Sequence, residues 1–173
     1  KMFLLKKDGK KMKIEMITGR DNHDSIFMPG ESCANPFLPD TIKIIDKNIE
    51  KLKEYYEENP LIKNKDFFDV KRMKRIAIAP ANPYWSPILP TDFKLEIKDA
   101  EKKRYNGLND KEFIFYHRKR GCSYFDQYDS YIDADVIIFN SAKYKIETTL
   151  NRKPRTEVEI IDEADEFLDN FST

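Results

Sequence analysis

Hydrophobic and polar positions first alternate cleanly over residues 12–17, where Met12, Ile14 and Met16 are separated by Lys13 and Glu15. A period of two predicts a half-buried strand there. Gly19-Arg20-Asp21-Asn22-His23 then reads as a turn. Residues 25–40 contain Pro29, Gly30, Pro36 and Pro39, which exclude a regular element. Asp40 or Thr41 can cap a helix expected over 40–58, with Ile42, Ile45, Ile49, Leu52 and Tyr56 at helical spacing before Asn59-Pro60 ends it. Residues 76–79 read as a short strand. Residues 80–90, with Pro80, Pro83, Pro87 and Pro90, cannot be regular.

The second half is patterned differently. Residues 91–120 are charged, with a helix expected over 110–118. The run Val136-Ile137-Ile138-Phe139, inside 134–140, predicts a buried strand. Beyond a polar connection containing Pro154, Val158, Ile160 and Ile161 predict a last strand that stops at Asp162 and Glu163. A helix-forming segment with Phe167 and Leu168 follows. Two apolar strands near the end and one near the start read as an α/β fold, pieces of a parallel sheet around a large, largely helical and irregular insert.

Composition narrows the function classes. Lys+Arg and Asp+Glu are 31 each, so no global basic field announces nucleic acid and any such contact is local. No run of about 18 apolar residues exists to span a membrane, and the Lys-rich opening is too short and polar for a signal peptide. Two cysteines do not make a disulfide scaffold, so a reducing, cytoplasmic location is the expectation.

Three groups of residues carry candidate chemistry. Asp162 and Glu163 would stand at the C-terminal lip of a strand, facing the crevice where open α/β sheets bind ligands. In a nucleotide-driven motor the first holds Mg²⁺ and the second orients the attacking water; acids in a helix's first turn are the plainer explanation. Lys63, Lys65, Lys71, Arg72, Lys74 and Arg75 interleave with Phe67 and Phe68, as in a single-strand nucleic-acid groove or a solvated helix face. Trp85 is a base-stacking platform or a loop anchor. Cys33, Cys122, His23 and His117 compose a two-Cys, two-His set for zinc or an iron–sulphur cluster, though their spacings are not a zinc finger's. Otherwise the cysteines are small buried hydrophobes.

In order along the chain, Gly19-Arg20-Asp21-Asn22 after a strand, Gly121-Cys122-Ser123-Tyr124-Phe125, the 134–140 strand and Ile160-Ile161-Asp162-Glu163-Ala164-Asp165 resemble the DinG and XPD group of superfamily 2 helicases. The resemblance implies that residues 1–18 belong to a first RecA-like motor domain. Residues 19–125 would be the insert that holds a four-iron cluster in that group, and 126–173 the return to the motor, ending in Walker B. It implies ATP-dependent unwinding of duplex DNA, with Mg-ATP as cofactor and single-stranded DNA and the remainder of the helicase chain as partners. Asp162 and Glu163 would be the Mg²⁺ and water residues, and Asp165 would couple nucleotide state to the motor.

Two departures from the group stand out. Glycines occur only at 9, 19, 30, 107 and 121, so no G-x-x-x-x-G-K-[ST] phosphate loop can be written. The group uses four thiolates, and this chain has two cysteines. The first ligand position falls near Ser25, and Asn82 stands in Asn-Pro-Tyr-Trp where Cys-Pro-Tyr is expected. Cys122 is in place and Cys33 is shifted. The expectation is an internal piece of a larger helicase, inactive alone. The alternatives are a non-catalytic nucleic-acid- or protein-binding module derived from such an insert, or an unrelated α/β domain.

Overall fold

The computed structural model describes residues 4–35, 38, 79–94 and 97–162. The helix expected over 40–58, the basic-aromatic stretch, most of the 76–79 strand and the segment after Asp162 lie outside them. Five strands form: β1 (Ile14–Ile17), β2 (Ile88–Pro90), β3 (Glu101–Asn106), β4 (Glu112–His117) and β5 (Val136–Phe139). β1 and β5, both where the pattern predicts strands, pair in parallel with Ile14 opposite Val136 and Ile17 opposite Phe139. Parallel neighbours need a crossover, and here it comprises everything from 18 to 135. One face of the pair, carrying Ile17, Ile137 and Phe139, packs into the core. The other keeps Ile14, Met16, Val136 and Ile138 at 40, 60, 38 and 44% exposure, so β5 is covered on one side only.

The helix expected over 110–118 is instead β4, the centre of an antiparallel sheet ordered β2-β4-β3. The 80–90 segment, expected to be irregular throughout, ends in β2 because an edge strand tolerates proline. The reason for β4 lies in four consecutive apolar side chains, Phe113 to Tyr116. A helix would spray them around its circumference, whereas a strand delivers them alternately to two faces. Ile114 and Tyr116 join Ala79, Trp85, Ile97, Cys122 and Phe125 on one side. Phe113 and Phe115 join Ile17, Ile88, Tyr105, Tyr128 and Tyr131 on the other. The second cluster reaches β1 and β5, so this sheet ties the crossover to the parallel pair.

Helical turns complete the frame. α1 (Ser123–Asp126) runs through a 3₁₀ turn, Gln127–Asp129, into α2 (Ser130–Asp133). α3 (Ser141–Thr149) follows β5, and Asn140 caps it by accepting the Lys143 amide at 2.8 Å. The last predicted strand is absent from the sheets among the described residues: Val158 and Ile160 are 75 and 92% exposed. Glu159 instead accepts from Lys153 Nζ and, at 2.8 Å, from the Tyr144 hydroxyl, which fastens this segment beside α3 rather than to a strand edge. No helix among the described residues is long and apolar enough to cross a membrane.

The β3–β4 hairpin supplies a stability test. Asn109 and Asp110 both take left-handed backbone, φ 54° and 55°, which these residue types tolerate. Leu108 N donates to Asn151 O at 3.0 Å. A Cβ on Gly107 would lie 2.3 Å from Asn151 O and 2.7 Å from Phe113 Cε2. Gly107→Ala is therefore expected to destabilise the fold by about 1–3 kcal/mol. Chemical denaturation checks this, and an unchanged midpoint would mean that the hairpin does not seat against residue 151.

Candidate functional site

The site grows from the end of β1. Thr18 N donates to Gln127 Oε1 at 2.9 Å, and Gln127 Nε2 returns a bond to Thr18 O at 3.1 Å. This reciprocal amide pair joins the two ends of the crossover. The turn at 20–22 then presents Arg20, whose guanidinium sits 4.2 Å over the Tyr124 ring and 5.2 Å from the centre of Phe125, a cation–π arrangement. His23 lies edge-on to Tyr124, with Nε2 at 2.8 Å from Thr18 Oγ1 and Nδ1 at 2.9 Å from Ser123 Oγ. Burial, with Lys143 and Arg20 nearby, holds His23 below its ordinary value. Its neutral ring can accept from one hydroxyl and donate to the other. The 19–22 and 121–125 motifs therefore meet in space.

Behind them lies a buried ionic centre. Glu147 is fully buried on α3, paired to Lys143 Nζ at 3.0 Å and bidentately to Arg152 through Nε at 2.7 Å and Nη2. Burial pushes its carboxyl up, but Arg152 and then Lys143 outweigh that and hold it below the ordinary glutamate range. Lys143 Nζ also donates to the Tyr128 hydroxyl at 2.6 Å, which donates to the Tyr124 hydroxyl at 3.2 Å. Burial raises Tyr128 well above its ordinary value. At Tyr124 burial also acts upward, but Lys143 and Arg20 prevail and lower it. A cavity of about 340 Å³ opens between Arg20, Trp85, Ser86, Tyr124, Phe125 and Arg152. Its walls are cationic and aromatic, with Arg152 paired to Glu147 and Arg20 stacked on Tyr124.

The residues singled out from the sequence are distributed unevenly. Asp162 is exposed at the end of the described chain. Glu163, Asp165, Lys71, Arg72, Lys74, Arg75, Phe67 and Phe68 lie outside the described residues. Trp85 is 6% exposed within an apolar cluster, a loop anchor whose remaining surface edges the cavity. Cys33 and His23 are adjacent through Cys33 N to His23 O at 2.8 Å, and Cys33 Sγ donates to Arg20 O. His117 stands elsewhere, stacked on Phe115, with ring nitrogens 2.8 Å from Asp126 and 3.1 Å from Asp129. Among the described residues no three His, Cys, Asp or Glu side chains are grouped to hold a metal. Missed from sequence were Arg20, Tyr124, Tyr128, Lys143, Glu147 and Arg152. Arg20 and Tyr124 stood inside the quoted 19–22 and 121–125 motifs without a role, and for the ionic centre the signal was the Lys143–Glu147 spacing of four.

The ionic centre sets an acid limit on stability. A carboxyl held low in the folded state contributes stability above the ordinary glutamate range, and this is lost as pH falls through the folded value. Glu147→Gln leaves two cations without their buried counter-charge and is expected to cost about 3–5 kcal/mol at neutral pH. Its stability should also fall less steeply than the parent's below pH 4.5. Denaturation midpoints across pH 3–7 measure both, and parallel curves for the two proteins would remove Glu147 as the source.

Compared with protein-family models, curated proteins and solved structures, the chain matches none of them.

Proposed function

We propose that this chain is part of an ATP-dependent DNA helicase: a portion of a RecA-like motor domain interrupted by an insert. Asp162 binds the Mg²⁺ of Mg-ATP, Glu163 orients the attacking water, and Asp165 links nucleotide state to movement. The phosphate-binding loop and the second motor domain come from outside this sequence. The observation that supports this reading best is the closure of the crossover. β1 and β5 are parallel neighbours, and the chain between them leaves at the Gly-Arg-Asp-Asn turn and returns at the Cys-Ser-Tyr-Phe segment. Those two segments are fastened by Thr18–Gln127 and Arg20–Tyr124. An insert in a parallel sheet is compatible with that arrangement, in that order. The helicase assignment itself rests on the resemblance of the four motifs.

The competing reading, a non-catalytic nucleic-acid- or protein-binding module, draws on the missing G-x-x-x-x-G-K-[ST] string. Two measurements separate them. This chain alone is expected not to turn over ATP, because phosphoryl transfer needs the phosphate cradle and charge clamp. In a polypeptide that includes such a loop, DNA-stimulated hydrolysis should appear and fall by about 100-fold or more in Glu163→Gln. Persistent lack of turnover there favours the binding module. Single-stranded DNA should bind this chain better than duplex. Replacing Lys71, Arg72, Lys74 and Arg75 together with Ala should weaken binding and flatten its salt dependence by up to about 0.7 per lost phosphate contact. Fluorescence anisotropy at two salt concentrations reads this, and identical curves would exclude the stretch from the DNA path.

A further inference from the structure

We infer that the insert closes without a metal, because the positions that would hold a four-iron cluster have been converted into turns and apolar packing. This inference rests on the helicase reading, which identifies Ser25, Asn82 and Cys122, with Cys33 shifted, as the counterparts of thiolate ligands. All four side chains are buried, at 2, 0, 2 and 0% exposure respectively. Each is committed to protein rather than presented to a common centre.

Ser25 Oγ accepts from the backbone N–H of Phe27 at 3.2 Å and of Met28 at 3.1 Å, closing a serine turn. Asn82 Oδ1 accepts from Tyr84 N at 2.9 Å, closing a second turn. That bond assigns the amide, leaving Nδ2 as the inward, unpartnered atom among the described residues. An amide N–H₂ donates only, so it cannot ligate a cation. Cys33 Sγ donates to Arg20 O at 3.2 Å. The Cys122 carbonyl accepts from Phe125 N and Asp126 N at 3.0 and 2.9 Å, opening α1. Its side chain lies in an apolar cluster with Ala79, Trp85 and Phe125, against which Ile26 and Tyr84 pack.

The neighbours of Ser25 and Asn82 and the Cys122 side chain itself therefore share one core, as ligands of one cluster would require. The space between them is filled with carbon. Ile26 and Tyr84 both pack against the cluster that holds Cys122, and Phe27 lies edge-on to Tyr84 with ring centres 6.2 Å apart, so the three segments share apolar packing. The two histidines offer no substitute, since hydroxyls hold both nitrogens of His23 and carboxylates face both of His117. Iron–sulphur clusters are held by thiolates, and a hydroxyl and an amide already spent on turns do not replace them. The residues do not fit the cluster. Arg20 stacked on Tyr124 and the Thr18–Gln127 pair supply the cross-link that the metal supplies elsewhere.

The test is metal and sulphide analysis of this chain purified anaerobically, with thermal denaturation in the presence and absence of EDTA. Expected are metal and sulphide well below one equivalent per chain, no absorbance band near about 400 nm, and the same Tm with and without chelator. Trace metal that EDTA removes without moving Tm counts as adventitious and agrees with the inference. A stoichiometric metal, or a Tm that falls on chelation, overturns it. Cys122→Ala should lower Tm by removing core volume and leave absorbance and metal content unchanged. A loss of bound metal in that variant is the opposite outcome. None of these readouts depends on ATP or DNA, so failure of the helicase reading and failure of this inference are separate results.

Discussion

A fully buried carboxylate is the constraint around which the described structure closes. Glu147 cannot stay ionised away from water without neutralisation, and its two cations come from different places. Lys143 lies one turn back on α3, whereas Arg152 comes from the chain beyond it. Each cation carries a further attachment. Lys143 holds the Tyr128 hydroxyl of the helical turns, and the Arg152 carbonyl accepts the Tyr105 hydroxyl of β3 at 2.7 Å. One charge thus brings together the helix after β5, the return segment, the antiparallel sheet and the end of the crossover. Loss of any arm strands a buried group, which makes the assembly all-or-none around that point.

The amide pair of Thr18 and Gln127 solves a different problem, the entropy of closing a long crossover. That cost rises only slowly with length, so a long crossover is compatible with a parallel pair if its ends are tied. Here the tie is made at the C-terminal ends of β1 and β5, the side on which open parallel sheets bind ligands. Arg20, His23 and Lys143 all lie there, and Tyr124 sits among them with its hydroxyl acidified by the cations. The region is cationic and aromatic in a chain whose charges balance overall, so its character is local and fixed by position.

Much of the frame was legible in the residues, for identifiable reasons. Alternation over 12–17 and the apolar run at 136–139 specify β1 and β5 because side-chain periodicity is a local property. The 110–118 segment misleads because its charged flanks suit a helix, while the four apolar residues at its centre require two buried faces that only the tertiary structure supplies. Val158, Ile160 and Ile161 advertise a strand but not a partner, and Glu159 holds the segment elsewhere. The ionic centre was invisible for a similar reason. Lys143 and Glu147 look like a surface helix pair until Arg152 arrives from outside the helix. Turn-forming Ser25 and Asn82 drew notice only where the resemblance placed cysteines.

Trp85 has a consequence in spectroscopy. It is the only indole in the chain and lies in one of the two apolar clusters, whereas Tyr105, Tyr128 and Tyr131 lie in the other. Tyrosines therefore line both sides of the antiparallel sheet, Tyr116 on the Trp85 side, but the indole reports one side alone. Opening of the Trp85 side alone would shift the long-wavelength emission together with the Tyr116 signal, while Tyr105, Tyr128 and Tyr131 stay buried. Opening of the side next to the parallel pair would change phenol signals while the indole emission stays put. A single ultraviolet unfolding experiment on the unlabelled protein can thus tell whether the two halves of the core melt as one cooperative unit or in sequence.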